Sequence, residues 1–346
     1  MSKFNLPTID PEAISLITTY KCTAACNGCC FNCTPHKSES MSLAKMKELI
    51  DEVCLDFPAI KLGILTGGEC FTLGEDLYTI IQYMHDKGLH TRIVTNGYWA
   101  TSIEKANRIL SRLKSIGLDE INFSTGDCHQ QWVSIDCVIN GVIAAITNEC
   151  VVAVNIETHR NSNIFTAEQF RHSNRLEPYL DSPLLTIISS IWIPPTSENN
   201  NAEKHDECIV TTLQPKRCKQ LFNVITISPN YELFCCCGLT IQKHQYLNLG
   251  KITAGNIREM WERQFQDFIK IWLFTEGPDK IIEYAKQKNK NICLHTNNQM
   301  HLCEKCMKLI SNKDIIQTLS QNYKGVVSRV LLEYNIYKQT KKSSGL

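Results

Sequence analysis

Twelve of the 18 cysteines in this 346-residue chain fall into three groups. The groups are Cys22, Cys26, Cys29, Cys30 and Cys33; then Cys218, Cys235, Cys236 and Cys237; then Cys293, Cys303 and Cys306. In a reducing compartment, thiols at such spacings indicate metal or redox sites rather than disulfides. The other six, including Cys208, have no metal-ligand spacing and are expected to be small buried side chains.

Cys22, Cys26 and Cys29 lie on one short loop after a predicted strand. Three thiolates on such a loop can hold three irons of a [4Fe-4S] cluster and leave the fourth iron open for another molecule. Cys26 with Cys29, and Cys30 with Cys33, make two Cys-x2-Cys pairs, so a zinc site is the alternative.

The spacing Cys22-x3-Cys26-x2-Cys29 after the first strand resembles the signature of the radical S-adenosylmethionine (SAM) superfamily. The resemblance covers about residues 13–195. It implies that SAM chelates the open iron and that one electron cleaves it to methionine and a 5′-deoxyadenosyl radical, which abstracts hydrogen from a substrate. Cys22, Cys26 and Cys29 would then be the ligands of the catalytic cluster.

The segment Gly67-Gly68-Glu69 follows the second predicted strand and resembles the part of the family that hydrogen-bonds the SAM amino group. Glycines let a backbone approach a ligand closely, and a carboxylate complements an ammonium group. By the same resemblance Asn96, at the end of the third strand, is expected near SAM. Ser124 and Asp127 end the fourth strand and could bond the ribose, although Asp127 could equally cap the next helix.

Asn155 and Glu157 on the fifth strand, and Arg160 just beyond it, are further candidates for contacts with ribose, carboxylate or substrate. An ion pair at the end of the strand is the alternative for these residues. The chain departs from the family at Gly28, because an aromatic residue often precedes the third cysteine there.

Short apolar runs alternate with longer amphipathic ones, which predicts an α/β fold with a parallel sheet. The predicted strands are residues 13–17, 60–65, 91–95, 120–124, 151–157 and 185–193, and helices are predicted at 42–54, 73–87 and 103–116. Six such units make a partial (β/α)6 TIM-type barrel whose functional groups lie in the loops after the strands. The expected organisation is an N-terminal extension (1–12), the barrel (13–195), a linker (196–207), a smaller Cys-rich α+β domain (208–310), and a C-terminal helix with a basic tail (311–346).

The C-terminal cysteines flank a predicted β-hairpin at residues 224–234. Cys218 before the hairpin, Cys235 after it, and the pair Cys303 and Cys306 would complete a four-thiolate site. This arrangement resembles the auxiliary-cluster domains called SPASM or Twitch, of which only the smaller version fits, and it implies a second [4Fe-4S] cluster. A structural zinc site is the alternative. Cys235 and Cys237 share one face of a strand, so the ligand among Cys235, Cys236 and Cys237 stays open, with Cys235 preferred.

The chain has a formal net charge of +1, which disfavours nucleic acid and anionic membranes as partners. Its longest apolar stretch is too short to cross a membrane, and its N-terminus lacks a signal sequence, so we expect a cytoplasmic protein.

The resemblance implies a low-potential electron donor of the flavodoxin or ferredoxin type. It favours a peptide substrate that is crosslinked, epimerised or oxidised. A small metabolite as substrate, or a zinc-stabilised binding protein without catalysis, are the alternatives.

Overall fold

The computed structural model describes residues 6–158, 164–191, 193, 217–243, 245–297 and 300–343. The chain divides into two compact units. We call residues 12–208 and 226–231 the barrel unit, and residues 1–11, 209–225 and 232–346 the helical unit. The predicted linker, Arg160 and Cys208 lie outside the described residues.

The barrel unit alternates strands with helices along the chain. Its strands are β1 (Ala13–Ile17), β2 (Leu62–Thr66), β3 (His90–Thr95), β4 (Glu120–Thr125), β5 (Val151–Thr158) and β6 (Leu185–Ile191). Its helices are α1 (Leu43–Asp56), α2 (Glu75–Asp86), α3 (Ile103–Ser115), α4 (Ile135–Thr147) and α5 (Ala167–Arg171). Each strand starts within two residues of its predicted start.

The six strands lie side by side in chain order, and every neighbouring pair is parallel. β1 and β6 stand at opposite ends of this row, so the row does not close on itself. The predicted partial barrel is therefore confirmed. All six carboxyl ends point the same way, which brings the loops that follow them to one edge of the sheet.

Local sequence explains where the helices begin and end. Ser42 and Ser102 precede α1 and α3, and their hydroxyls accept hydrogen bonds from the backbone N–H groups of Lys45 and Lys105. Gly117 follows α3 with φ 100°, the left-handed conformation that ends a helix.

The helical unit contains two short strands, the first half of a third that continues into residues of the barrel unit, and the remaining helices of the described residues. The strands are β7 (Val224–Ile227), β8 (Glu232–Phe234) and β9 (Asn248–Lys251). The helices are α6 (Ile257–Arg263), α7 (Phe268–Lys288), α8 (Leu302–Ser311), α9 (Lys313–Asn322) and α10 (Val327–Ser343). β7 and β8 are neighbours joined by a turn in which Tyr231 N–H donates to the Ser228 carbonyl at 2.8 Å, as the predicted hairpin requires.

α7 is the central element of the helical unit. Its buried side chains include Phe268 and Trp272, and it kinks at Gly277 (φ 78°) before Pro278. Glu276, just before the kink, accepts hydrogen bonds from Trp272 Nε1 at 2.9 Å and Arg329 Nε at 2.8 Å. This buried carboxylate therefore joins α10 to α7.

Both ends of the chain contribute to the helical unit. The N-terminal segment is held by Trp261, which donates to the Ile9 carbonyl at 2.9 Å, and by Tyr334, which donates to the Pro7 carbonyl at 2.5 Å. Residues 311–346 include α9 and α10, and α10 continues into the predicted basic tail. No helix of the described residues is long and apolar enough to cross a membrane.

Candidate active site

The cysteine loop begins at Cys22, five residues after β1 ends, and is closed at its base by backbone hydrogen bonds. Cys22 N–H donates to the Thr34 carbonyl at 3.1 Å, and Thr34 N–H donates to the Tyr20 carbonyl at 3.4 Å. Tyr20 N–H in turn donates to the Glu39 carbonyl at 2.9 Å. These pairs fix both ends of residues 22–33, so the thiols project from a closed loop.

Two consecutive turns shape the loop between its ends. Cys29 N–H donates to the Cys26 carbonyl at 3.2 Å, and Asn32 N–H donates to the Cys29 carbonyl at 3.0 Å. Gly28 has φ 83°, in the left-handed region where a side chain is strained. The glycine that replaces the family's aromatic residue is thus required by the backbone of this loop.

The three candidate ligands are half-buried and differ in electrostatic environment. Burial raises the pKa of Cys22 to about 11. Burial also raises the pKa of Cys26, with a further contribution from the nearby charge of Glu157. The pKa of Cys29 is lowered, because the thiols of Cys30 and Cys33 donate hydrogen bonds to it. The surroundings therefore favour the thiolate at Cys29 and disfavour it at Cys22 and Cys26.

Cys30 and Cys33 lie against Cys29. Cys33 is only 2% exposed, and its backbone N–H also donates to Cys29 Sγ at 3.5 Å. Both extra cysteines thus contact the sulfur of the third candidate ligand.

Gly67 and Gly68 lie against the start of the cysteine loop. Gly68 N–H donates to the Thr19 carbonyl at 2.7 Å, and Glu69 N–H donates to the Lys21 carbonyl at 2.9 Å. A Cβ at Gly67 would lie 2.5 Å from the Thr19 carbonyl oxygen, and one at Gly68 would collide with the Lys21 carbonyl. The close approach expected for these glycines is therefore made to the protein backbone just before Cys22.

Glu69 is fully buried, and its carboxylate is engaged inside the protein. It accepts hydrogen bonds from Phe71 N–H at 3.1 Å, Asn96 N–H at 2.8 Å, and the Thr95 hydroxyl at 2.9 and 3.0 Å. Burial raises its pKa to about 7, against the opposing effect of these donors. Glu69 thus joins the loop after β2 to the loop after β3, and its contact with the SAM amino group stays a prediction.

We expect Glu69→Gln to lower the free energy of unfolding by about 1–3 kcal/mol. The NH2 group of the glutamine is a donor, and it would have to face another donor, the backbone N–H of Phe71 or of Asn96. Urea unfolding of the metal-free protein at about pH 8, where the wild-type carboxylate is ionised, measures the loss. Glu75→Gln is the control, since Glu75 is exposed and pairs with Arg112 at the surface. Equal stability of the two variants would contradict the assignment.

Asn96 lies between Glu69 and the cysteine loop. It is 5% exposed, and its Nδ2 donates to Thr23 Oγ1 at 3.0 Å and to Cys22 Sγ at 3.7 Å. A hydrogen bond to a ligand sulfur is a known means of adjusting an iron-sulfur cluster. The structure therefore brings Asn96 to the first cysteine, and its predicted place near SAM stays a prediction.

The remaining candidates lie at the ends of β4 and β5. Ser124 is paired in register with Asn155, and both are half-buried. Asp127 accepts hydrogen bonds from Ile164 N–H at 3.0 Å and Phe165 N–H at 2.8 Å, so it holds the segment before α5 rather than capping α4. Glu157 is 3% exposed and accepts hydrogen bonds from the backbone N–H groups of Cys128 and His129.

His129 and Cys128 are residues that the sequence analysis missed. His129 Nδ1 lies 2.5 Å from Glu157 Oε2, and the Cys128 thiol also bonds to Glu157. The signal was present in the sequence, since both residues directly follow Asp127 in the loop after β4. Together they surround the Glu157 carboxylate at the end of β5.

The C-terminal thiols converge within the helical unit. The backbone N–H of Cys235 donates a hydrogen bond to the Leu247 carbonyl at 3.1 Å. The Cys235 carbonyl accepts a hydrogen bond from Phe222 N–H at 3.2 Å. The charges of Cys303, Cys218 and Cys235 all raise the pKa of Cys306, after burial as the main cause. The four candidate ligands therefore lie in one neighbourhood.

Cys236 and Cys237 lie at the same place. The Cys236 thiol donates to Cys235, and Cys237 Sγ donates to Gln220 Oε1 at 3.5 Å. Cys235 is fully buried, Cys236 is 6% exposed and Cys237 is half-buried.

None of the described cysteines is in a disulfide, and no three His, Cys, Asp or Glu side chains of the described residues converge on a single ion position. Ligands of a [4Fe-4S] cluster bind different irons, so they need to surround a volume rather than meet at a point. The half-buried thiols of the closed loop and the four thiols of the helical unit are therefore candidates for such ligands.

Residues 16–125 match the model of the Radical SAM superfamily. The matched segment includes the cysteine loop, Gly67–Glu69 and Asn96. The predicted resemblance to the radical SAM superfamily is therefore confirmed over residues 16–125.

A relative in Bacillus subtilis (strain 168), named putative peptide biosynthesis protein YydG, is 22% identical over 129 residues. The match spans 37% of this chain and 40% of the relative.

Among solved structures, native anSMEcpe with bound AdoMet has a TM-score of 0.54 at 13% identity, covering 94% of this chain and 100% of that chain. The same protein with bound AdoMet and Cp18Cys peptide has a TM-score of 0.51 at 13% identity, covering 94% and 99%. At this identity the likeness concerns the fold alone.

Proposed function

We propose that this protein is a radical SAM enzyme whose catalytic [4Fe-4S] cluster is held by Cys22, Cys26 and Cys29. The observation that carries the proposal is the closed loop with its three thiols. Gly67–Glu69 lie against the backbone just before this loop, and Asn96 donates a hydrogen bond to the Cys22 sulfur. All of these residues lie in the segment that matches the superfamily model. When bound and reduced, the cluster and SAM supply a 5′-deoxyadenosyl radical that abstracts hydrogen from the substrate.

The protein's own residues bind and orient these groups. The Asn96 side chain donates to the Cys22 sulfur. The Glu69 carboxylate fixes the position of Asn96 by accepting a hydrogen bond from the Asn96 backbone N–H. We propose that the backbone of Gly67 and Gly68 borders the methionine end of SAM. Ser124 and Asn155, paired across β4 and β5, are proposed for the ribose.

The remaining proposed contacts are less direct. Asp127 and Glu157 are engaged with backbone N–H groups and would act by positioning the loops after β4 and β5. Arg160 is retained as a candidate for the SAM carboxylate or the substrate.

A second [4Fe-4S] cluster is proposed on Cys218, Cys235, Cys303 and Cys306. Four thiolates satisfy all four irons, so this cluster is suited to transferring electrons rather than binding substrate. A zinc ion on the same thiols is the competing assignment.

The proposed substrate is a peptide that is crosslinked, epimerised or oxidised. The name of the Bacillus subtilis relative and the peptide bound to anSMEcpe support this choice. A low-potential donor of the flavodoxin or ferredoxin type would supply electrons in the reducing cytoplasm. A small metabolite is the second candidate substrate.

We expect a peptide encoded beside this protein's gene to be altered with 5′-deoxyadenosine formed in proportion. The test incubates anaerobically reconstituted protein with SAM, dithionite and the synthetic peptide, and follows deoxyadenosine by chromatography and the peptide by mass spectrometry. A loss of two hydrogens indicates oxidation or a crosslink, whereas label uptake from deuterated water without mass loss in ordinary water indicates epimerisation. If the peptides stay unmodified while a small metabolite stimulates deoxyadenosine formation, the peptide assignment fails.

A further inference from the structure

β6 is the last strand of its row, and its outer edge carries main-chain hydrogen-bonding groups. Its only neighbour among the described strands is β5. Val152 N–H of β5 donates to the Leu184 carbonyl at 2.8 Å, so residues 184, 186, 188 and 190 turn their main-chain groups towards β5. The main-chain groups of Leu185, Ile187 and Ser189 therefore point away from the sheet.

Part of this outer edge already has partners. Leu185 N–H donates to the Ser182 carbonyl at 3.1 Å, and the Ile187 carbonyl accepts a hydrogen bond from Arg171 at 3.2 Å. Within the described part of the chain, the Leu185 carbonyl, the Ile187 N–H and both main-chain groups of Ser189 have no such partner. We call these four groups the open edge of β6.

The sequence of β6 lacks the features that usually protect a free edge. Residues 185–191 (LTIISSI) contain no charged residue and no proline, and all seven are paired with β5 without a break in register. Ile188 is 42% exposed, and Thr186 and Ser189 are exposed as well. An accessible edge of this kind is suited to pairing with another extended backbone.

One face of the sheet connects the open edge with the proposed SAM site. Ser124, Asn155 and Ile188 are paired in register and form one row across β4, β5 and β6. Phe123 lies on the other face, where a Cβ at Gly141 of α4 would be 2.5 Å from its ring. The row therefore lies on the face opposite α4, and a strand added beside β6 would continue it about 4.8 Å further on.

We propose that the open edge of β6 binds the substrate peptide as an additional strand. This inference deepens the proposed function and rests on its peptide substrate. Main-chain hydrogen bonds would hold the peptide extended, and every second side chain would lie on the face that carries Asn155. The continuous row from Ser124 to Ile188 favours the substrate over a second copy of this chain, because the edge leads directly to the residues proposed for SAM.

The first test measures binding of the synthetic peptide encoded beside this protein's gene to the anaerobically reconstituted protein with SAM. A series of peptides, each with one N-methylated residue, removes one main-chain donor at a time. We expect the dissociation constant to rise about tenfold at alternate residues of the bound segment and by less than about twofold at the residues between them. If the peptides are bound and modified without this period of two, strand addition is wrong and the proposed function stands.

Ser189→Pro tests the same contact from the protein. Proline removes the outward N–H of Ser189 without removing a hydrogen bond to β5, and edge strands tolerate it. We expect peptide binding to weaken about tenfold, whereas the control Ser189→Ala, which loses only the hydroxyl, should stay within about twofold of the wild type. Equal affinity of the two variants contradicts the inference. Thermal unfolding shows whether both variants fold, and if Ser189→Pro does not, amide exchange of the wild type decides.

Amide hydrogen exchange reads the edge directly in the wild-type protein. With the peptide at about ten times its dissociation constant, exchange at Ile187 and Ser189 should slow about tenfold, whereas Ile188, whose N–H faces β5, should change little. Slow exchange at Ile187 and Ser189 already without peptide overturns the inference, because the edge is then paired within the chain or, if the effect depends on protein concentration, with a second copy. If no peptide is bound or modified, the peptide substrate of the proposed function fails as well.

Discussion

Replacing Cys22, Cys26 and Cys29 together by alanine removes about half of the protein's iron and all SAM cleavage, if each unit holds an independent four-iron cluster. The wild-type protein, reconstituted anaerobically, should then hold about eight irons. The loss of cleavage is complete because these three thiols are the proposed ligands of the cluster that binds SAM. Iron and sulfide analysis, visible absorbance and deoxyadenosine formation measure the effect.

The matched variant is Cys303→Ala with Cys306→Ala, which removes thiols only from the helical unit. It should lose a similar amount of iron and retain part of the SAM cleavage. The two-cluster assignment is wrong if both variants lose the same cluster. Stoichiometric zinc without visible charge-transfer absorbance would favour the zinc-stabilised binding protein instead.

Gly68→Ala is expected to weaken SAM binding by at least about tenfold and to lower the iron of the first cluster. Its Cβ would collide with the Lys21 carbonyl, and the neighbouring atoms are all backbone of Lys21 and Cys22. Because the Cys22 backbone is held by its hydrogen bond to the Thr34 carbonyl, relieving this collision would displace the cysteine loop. Equilibrium binding of SAM and iron analysis of the purified variant are the measurements.

Gly74→Ala is the control for this substitution. Gly74 has φ 62°, so alanine is strained there, but a Cβ at Gly74 meets no atom within 4 Å. The control therefore has the backbone strain of an alanine at positive φ, but it does not displace the cysteine loop. Retention of normal iron and SAM affinity in Gly68→Ala would refute the role given to this contact.

The strands and the family could be predicted from sequence because their signals are local. Hydrophobic runs separated by about one βα unit located all six strands, and a three-cysteine spacing identified the first loop. The parallel order of the strands then follows from the short right-handed connections that such units make.

The contacts of the polar candidates could not be predicted in the same way, because they depend on which loop lies opposite. A carboxylate after a strand has the same sequence signature whether it faces a ligand or a neighbouring backbone. Glu69 bonds Asn96, 27 residues away, and Asp127 bonds Phe165, 38 residues away. Gly28 shows the converse, since its departure from the family pattern becomes intelligible only from its φ angle.

The attachment of Pro7 and Ile9 to Tyr334 and Trp261 bears on the order in which the protein folds during synthesis. Both hydrogen bonds join residues more than 250 positions apart. The barrel strands emerge and can pair early, whereas residues 6–11 must wait for α6 and α10 before they find their partners. Because closing so long a loop costs entropy, these residues are synthesised before the barrel strands but are among the last to reach their native positions.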